Sequence, residues 1–105
     1  MKVLLDECVP WPLHRLLVGH NCASPRHRGW DGIQNGALLR LAEGEFDLFV
    51  TSDQNLRYQQ TLSNRSLRIL ELSTNDWRRI QAAAGLVTAT IREMPAGEYR
   101  QLLIP

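Results

Sequence analysis

The sequence predicts an α/β domain in which helices pack against a mainly parallel sheet of four to five strands. Two apolar runs, Val3 to Leu5 and Leu48 to Val50, lack the polar alternation of half-exposed strands, as is typical of strands buried on both faces. Strand-like and helix-like segments alternate along the chain, which favours successive βαβ units. A length of 105 residues suits one domain, so we treat residues 1–105 as a single unit.

The composition indicates which broad class of protein this sequence belongs to. A hydrophobic content of 44% with 22% charged residues indicates a globular chain rather than a disordered one. The formal net charge of +1 gives no sign of a nucleic-acid binder, although every basic residue other than Lys2 is arginine, which suits phosphate contacts and ion pairs. No apolar run is long enough to cross a membrane and no signal peptide is visible, so a cytoplasmic protein is expected. The two cysteines and three histidines lack the compact ligand spacings of structural zinc sites.

The first predicted elements are a strand, a helix and a second strand. Residues 2–5 form the first strand. Pro10 and Pro12 favour the start of a helix of about two turns, because proline is tolerated in a first turn, and Gly19 is expected to end it. Residues 21–24 form the second strand.

A loop that carries several cations is predicted over residues 25–32. Arg26, His27, Arg28 and Trp30 lie within it. Guanidinium groups beside an aromatic ring suit phosphate contact together with base stacking, so Arg26, Arg28 and Trp30 are candidate contacts to a nucleic acid. A solvated loop with Trp30 packed on the core accounts for the same residues, and the sequence leaves both interpretations open.

The middle of the chain is predicted to form a helix and a third strand. Asn35 is a residue type preferred at an N-cap, and a helix is expected from 36 to 43. The Asn35 amide is also a candidate metal ligand at the mouth of this helix. The third strand opens at Asp47 and ends at Asp53, so these two carboxylates are expected at opposite ends of the sheet.

A short helix is predicted to begin at Gln54, just beyond the third strand. Its N-terminus would favour an anion, and Arg57 and Tyr58 lie one turn further on, within reach of a phosphate. Residues 66–72 are expected to form the fourth strand.

The longest predicted helix comes next, and residues 74–76 supply its cap. Pro95 ends this helix, and residues 99–104 are expected to form either a final edge strand or an arm. Its apolar stripe recurs at helical spacing and is expected to be core: Trp77, Ile80, Ala84, Val87, Ile91 and Met94.

Acidic residues follow two of the predicted strands. Asp6 and Glu7 come after the first strand, and Asp53 ends the third. If these strands are neighbours, the three carboxylates meet at the carboxyl edge of the sheet, where open α/β sheets bind ligands. Clustered carboxylates repel one another unless a cation lies between them, and oxygen ligands suit Mg²⁺ or Mn²⁺. The alternative is that Asp6 and Asp53 are helix caps or turn residues.

Five segments of the sequence have an informative order and spacing: Lys2-Val-Leu-Leu-Asp-Glu-Cys-Val-Pro10, Gly29-Trp-Asp-Gly32, Asn35-Gly-Ala-Leu-Leu39, Phe46-Asp-Leu-Phe-Val-Thr-Ser-Asp-Gln-Asn-Leu56 and Tyr58-Gln-Gln60. Together they resemble a short PIN-like domain, a family of small uncharacterised bacterial proteins similar to the VapC-type toxin ribonucleases. The resemblance covers roughly residues 1–72. Its most specific parts are the Leu-Leu-Asp-Glu start and the Thr-x-Asp strand end.

The resemblance implies a three-layer α/β/α PIN-like sandwich and RNA cleavage that depends on Mg²⁺ or Mn²⁺. It implies that Asp6 and Asp53 hold the ion, while Glu7 ligates it through water or acts as a base. The family's further acids fall at Asn35 and Asn55 in this chain. Their amide oxygens can ligate a metal ion but supply no charge.

Partners are implied as well. The toxin members of the family pair with small antitoxin proteins, and the substrate is RNA. The apolar segment 98–104 resembles an exposed edge strand that pairs with another chain, so a homodimer or a complex with a small partner is expected. The same segment could instead complete its own sheet.

Two other functions fit the same acids. A receiver-like phosphoacceptor domain also places an acid pair after its first strand and an Asp after its third, and Ser73 fits its hydroxyl position. The lysine that receivers carry after a fifth strand has no counterpart, since Lys2 is the only lysine. A PIN-like module that binds RNA or protein with little or no catalysis is the second alternative, which the two asparagines favour.

Overall fold

Five parallel strands form one sheet in the part of the chain that the structure describes. The computed structural model describes residues 1–54 and 66–105. Adjacent strands pair in the order β2-β1-β3-β4-β5, and every pairing is parallel. The predicted α/β class with a mainly parallel sheet is therefore confirmed. The strands are β1 (Lys2–Leu5), β2 (Asn21–Ala23), β3 (Leu48–Thr51), β4 (Arg68–Leu72) and β5 (Tyr99–Leu102).

Apolar side chains cover both faces of this sheet, which explains why its central strands are continuous apolar runs. Successive residues of a strand point to opposite faces, so alternate positions of β1, β3 and β4 enter different clusters. On the first face the strands contribute Val3, Leu5, Leu48, Val50, Leu70 and Leu72. On the second face they contribute Leu4, Phe49 and Ile69.

Within residues 1–54 and 66–105, three α-helices pack on these clusters: α1 (Asn35–Glu45), α2 (Trp77–Ala82) and α3 (Ala84–Glu93). Leu38, Leu39 and Ala42 of α1 enter the second cluster. Ile80 of α2 and Val87 of α3 enter the first. Among the described residues, no helix is long and apolar enough to cross a membrane.

The long C-terminal helix of the sequence prediction is divided in the structure. Asp76 caps α2 as expected, because its Oδ1 accepts the backbone N–H groups of Arg78 at 2.9 Å and Arg79 at 3.4 Å. The helix then breaks at Ala83, whose φ of −100° and ψ of 21° leave the helical region. The apolar stripe nevertheless reaches the core on both sides of the break.

The helix of about two turns expected after Pro10 and Pro12 is present as a 3₁₀ helix, Trp11–Leu16, but it ends at Leu16 and not at Gly19. Pro10 is its N-cap and Pro12 lies in its first turn. The Leu13 N–H bonds to the Pro10 carbonyl at 3.0 Å in the tighter i to i+3 pattern. A second 3₁₀ helix, Arg26–Arg28, lies inside the predicted loop.

The start of α1 is also one residue earlier than predicted. The helix begins at Asn35, so the cap position belongs to Gln34, which is extended with φ −72° and ψ 156°. Asn35 was expected to be the cap itself. Its identity as a good capping residue did not decide the position, because a neighbour with extended backbone fulfils the same geometric role.

The C-terminal segment completes the sheet as an edge strand rather than leaving it as an arm. Ile104, just beyond β5, is buried in the first cluster, whereas Leu103 is 80% exposed. Glu71 of β4 is buried beside β5, and it accepts hydrogen bonds from the Tyr99 hydroxyl and, at 3.0 Å, from Gln101 Nε2. Polar side chains therefore fasten this edge strand to its neighbour.

Candidate functional site

The strand order reverses between β1 and β3, and the candidate acids lie there. From β1 the chain passes to β2 on one side, and β3 pairs with the other side of β1. Asp6 is the first residue after β1, and Asp53 lies two residues beyond the last residue of β3. The crevice outside the carboxyl ends of such a strand pair is where open α/β sheets bind their ligands.

Asp6 is held firmly at this point. Its backbone N–H donates to the Val50 carbonyl oxygen at 2.9 Å, which continues the pairing of β1 with β3. The carboxylate accepts the Glu7 backbone N–H on Oδ1 and the Thr51 hydroxyl on Oδ2, each at 2.8 Å. These charge-assisted contacts fix the orientation of the carboxylate.

One buried hydroxyl connects the two acid-bearing segments. Thr51 is fully buried, and its Oγ1 donates to Asp6 while it accepts the backbone N–H of Asp53 at 3.0 Å. A threonine in this place can do both because a hydroxyl is donor and acceptor at once. A single side-chain oxygen, Thr51 Oγ1, is therefore hydrogen-bonded both to the Asp6 carboxylate and to the backbone of Asp53.

Cys8 adds a second connection between the same segments. Its Sγ lies 3.4 Å from Asp6 Oδ2 and accepts the Ser52 backbone N–H at 3.3 Å, while the Ser52 hydroxyl donates to the Cys8 carbonyl oxygen at 3.4 Å. Burial of the sulfur raises the pKa of the Cys8 thiol, and the Asp6 carboxylate raises it further. The thiol therefore stays protonated near neutral pH and donates to Asp6.

A cleft of about 360 Å³ opens beside Asp6 and Glu7 at the carboxyl ends of β1 and β2. Glu7 is exposed there, and Asp6 is partly exposed. The cleft brings together acids, a cation, imidazole and indole groups that are distant in sequence. Its lining comprises Leu5, Asp6, Glu7, Val9, Trp11, Ser24, Arg26 and His27.

The predicted cationic loop is divided between the cleft and the opposite face of the sheet. Arg26 lines the cleft with Asp6. Arg28 instead forms an ion pair with Glu45 of α1, and its guanidinium lies 5.3 Å from the Trp30 ring centroid. Trp30 packs against the second core cluster, edge-on to Phe46 with 6.1 Å between ring centroids. Arg28 and Trp30 thus fasten the loop to the domain.

The donor set suits a weakly held Mg²⁺ or Mn²⁺. Among residues 1–54 and 66–105, no three His, Cys, Asp or Glu side chains converge on one point. Mg²⁺ commonly keeps several waters and takes only one or two protein carboxylates, which Asp6 and Asp53 can supply. The chemistry of these residues therefore fits such an ion, without a further acid.

Several predicted site residues cannot be placed beside these acids. Asn55, Arg57 and Tyr58 lie outside the described residues, as does the side chain of Asn35. Their assignments as metal ligands or phosphate contacts stay predictions from the sequence.

Comparison with protein-family models, with curated proteins and with solved structures gave no match. The site must accordingly be interpreted from its own chemistry.

Sequence reasoning missed part of this site. Thr51 was considered only as part of the Thr-x-Asp strand end, and Cys8 only as a cysteine outside any zinc-site spacing. A small polar residue at the last position of a buried strand could have indicated the role of Thr51. For Trp11 and His27, which meet in the cleft, the signal is long-range: their segments follow β1 and β2, which are adjacent in the sheet.

Proposed function

We propose that this chain is a ribonuclease with a three-layer PIN-like fold that uses Mg²⁺ or Mn²⁺ to hydrolyse RNA phosphodiesters. The observation that carries the proposal is the pair Asp6 and Asp53 after adjacent parallel strands, with the Thr51 hydroxyl between their segments. Helices that pack on both apolar faces of the sheet support the three-layer assignment.

In this proposal Asp6 and Asp53 would hold the divalent ion. When bound there, such an ion would lower the pKa of a water molecule and offset charge on the scissile phosphate. The hydrogen bond from the Thr51 hydroxyl keeps the Asp6 carboxylate in one orientation, whereas a carboxylate without this partner would be free to rotate. Glu7 presents an exposed carboxylate at the cleft, where it can accept a proton from water. Arg26 supplies positive charge for the RNA backbone.

The direct test is cleavage of single-stranded RNA by the purified chain. We expect cleavage with Mn²⁺ or Mg²⁺ and none after chelation with EDTA. If Mn²⁺ raises the melting temperature of the protein but RNA stays intact, the chain is a PIN-like binding module without turnover. The replacement of two family acids by Asn35 and Asn55 makes this the principal alternative.

A receiver-like phosphoacceptor is the second candidate, because the order β2-β1-β3-β4-β5 is the doubly wound order that receivers share with flavodoxin. Ser73 follows β4 as that function requires, but its Oγ accepts the Ile104 backbone N–H at 2.8 Å. The three residues that directly follow β5, Leu103, Ile104 and Pro105, do not include the lysine that would stabilise a phosphoaspartate.

This alternative has a clear test in intact-mass spectrometry. We expect no mass increase of a phosphoryl group when the protein is incubated with acetyl phosphate and Mg²⁺. In a receiver, Asp53 would take the phosphoryl group and acetate would leave. An adduct on wild type that is absent from Asp53→Asn would favour the receiver over the nuclease.

We also propose a protein partner, either a second copy of the chain or a small antitoxin. The feature that supports it is the edge strand β5 with exposed Leu103 beside it. Sedimentation velocity at micromolar concentration is expected to show a dimer, or co-purification from the native cell a small companion. Substitution of Leu103 by Asp should weaken the association, whereas a strict monomer without any companion would contradict both forms.

A further inference from the structure

Two aromatic side chains form a corner in the wall of the cleft beside Asp6 and Glu7. The ring centroids of Trp11 and His27 are 4.6 Å apart, and their planes meet at 71°. Both residues line the cleft, and Trp11 is 36% exposed. The cleft therefore has a partly exposed aromatic wall on which a flat molecule can pack.

Both rings are held in place by contacts within the chain. His14 stacks on the Trp11 indole, with 4.5 Å between centroids and 21° between planes, and its Nδ1 donates to the Trp11 carbonyl oxygen at 2.7 Å. The Ser24 backbone N–H donates to His27 Nδ1 at 3.2 Å, which fixes the orientation of that imidazole. Rings held in this way lose little conformational entropy when a ligand binds.

The rest of the cleft has the charges that a nucleotide needs. Arg26 provides a guanidinium, which is suited to phosphate, on the same lining as the aromatic corner. Asp6 and Glu7 lie on that lining too, where a phosphodiester would reach the proposed cleavage chemistry. The volume of about 360 Å³ is at the lower end of small-molecule pockets, about 300–1,000 Å³, so it suits one nucleotide rather than a duplex.

We propose that this cleft is a subsite for one nucleotide of single-stranded RNA, with the base against Trp11 and His27 and the adjoining phosphate at Arg26. The inference rests on the proposed ribonuclease function, because it places the phosphodiester beside Asp6. Base stacking is therefore assigned to Trp11 and His27 rather than to Trp30, which the sequence suggested. Trp30 does not belong to the cleft lining and packs on the second core cluster, edge-on to Phe46.

The experiment measures RNA affinity under two conditions in which cleavage cannot occur. A fluorescently labelled single-stranded 12-mer is titrated by anisotropy at low salt, first in EDTA and then with Mg²⁺ in the Asp53→Asn background. Asp53 is not part of the cleft lining. We expect Trp11→Leu to weaken binding by about 5- to 100-fold with little change in salt dependence, because stacking on a base is uncharged. Arg26→Ala should lower the slope of log affinity against log salt by about 1.

Matched controls avoid the contacts that hold the loop. Arg40→Ala removes an exposed guanidinium of α1, and Trp30→Phe keeps an aromatic ring beside Phe46, so both variants should leave affinity within about twofold. Trp11→Tyr keeps an aromatic ring and should recover most of the binding lost in Trp11→Leu. Thermal melting of each variant establishes that the domain is folded.

The subsite is refuted if Trp11→Leu binds RNA as tightly as wild type, or if Arg40→Ala and Trp30→Phe weaken binding as much as the cleft variants. Equal affinity for a nucleoside monophosphate and the 12-mer would refute the assignment to RNA. Binding that depends on Trp11 without any cleavage in Mn²⁺ would support the subsite and reject the nuclease. Cleavage that is indifferent to Trp11 would do the reverse.

Discussion

Asp53→Asn is expected to abolish the stabilisation of the domain by Mn²⁺ and to lower RNA cleavage by at least about 100-fold. An ion that binds only the folded chain, as the proposal requires, should add about 2.7 kcal/mol to the free energy of unfolding when its concentration is about 100 times its Kd. That corresponds to a rise of about 10 °C or more in Tm for a domain of this size. Asparagine keeps the shape of the side chain but removes its charge, and loss of one of two carboxylate ligands should eliminate both effects.

Asp47→Asn is the matched control, because Asp47 precedes β3 whereas Asp53 follows it. Asp47 is exposed, and its Oδ2 accepts the Lys2 backbone N–H at 2.8 Å, a role that an amide oxygen can keep. Differential scanning fluorimetry with and without Mn²⁺ and a gel assay of RNA cleavage provide the two measurements. An undiminished Mn²⁺ shift in Asp53→Asn would show that the ion binds elsewhere.

Thr51→Val should destabilise the domain and disorganise the site at the same time. Valine fills the same volume but leaves Asp6 Oδ2 without the hydroxyl donor and the Asp53 N–H without its acceptor. An unsatisfied buried polar group costs about 1–3 kcal/mol, and each kcal/mol lowers Tm by about 4–8 °C in a domain of this size. Because Thr51 orients a proposed metal ligand, cleavage should fall by about 10- to 100-fold.

The substitution Thr51→Ser distinguishes the effect of the hydroxyl group from that of the methyl group. Serine keeps the oxygen that joins the two segments and loses one buried carbon, which costs about 0.8 kcal/mol. We expect near-normal cleavage and a small decrease in Tm for Thr51→Ser. If the serine and valine variants behave alike in both measurements, the hydroxyl does not organise the site.

The strands were predictable because a strand that is buried on both faces is apolar at every position. Val3 to Leu5 and Leu48 to Val50 are apolar at every position, and the structure places them in β1 and β3 as neighbours. The sequence left the strand order open; the structure pairs β1 with β3, so Asp6 and Asp53 do follow adjacent strands. Predicted strand ends were less accurate: the fourth strand begins at Arg68, two residues later than expected.

The helix types and the position of the loop were harder to predict, because the local sequence does not determine them. A proline pair is compatible with either helix type, so the sequence does not distinguish an α-helix from a 3₁₀ helix. In the 3₁₀ form that the structure shows, Leu13 and Leu17 pack in the first core cluster. Likewise, nothing near Arg28 in sequence reveals that Glu45 lies within reach. The division of the loop between two faces depends on contacts with residues that are distant in the chain.

The all-parallel sheet also determines how this domain must fold. Lys2 pairs with Asn21 and Val3 pairs with Leu48, so even the first strand finds its neighbours only after a long loop closes. Closing such loops lowers the conformational entropy of the chain before the stabilising strand contacts form. Sheets built from non-local pairings are therefore slow to fold. The Asp6 carboxylate reaches Thr51, 45 positions away, only once β1 and β3 have joined. Assembly of the acidic pair therefore requires that β1 and β3 have already paired, and an ion held by both acids would favour the states in which these strands are joined.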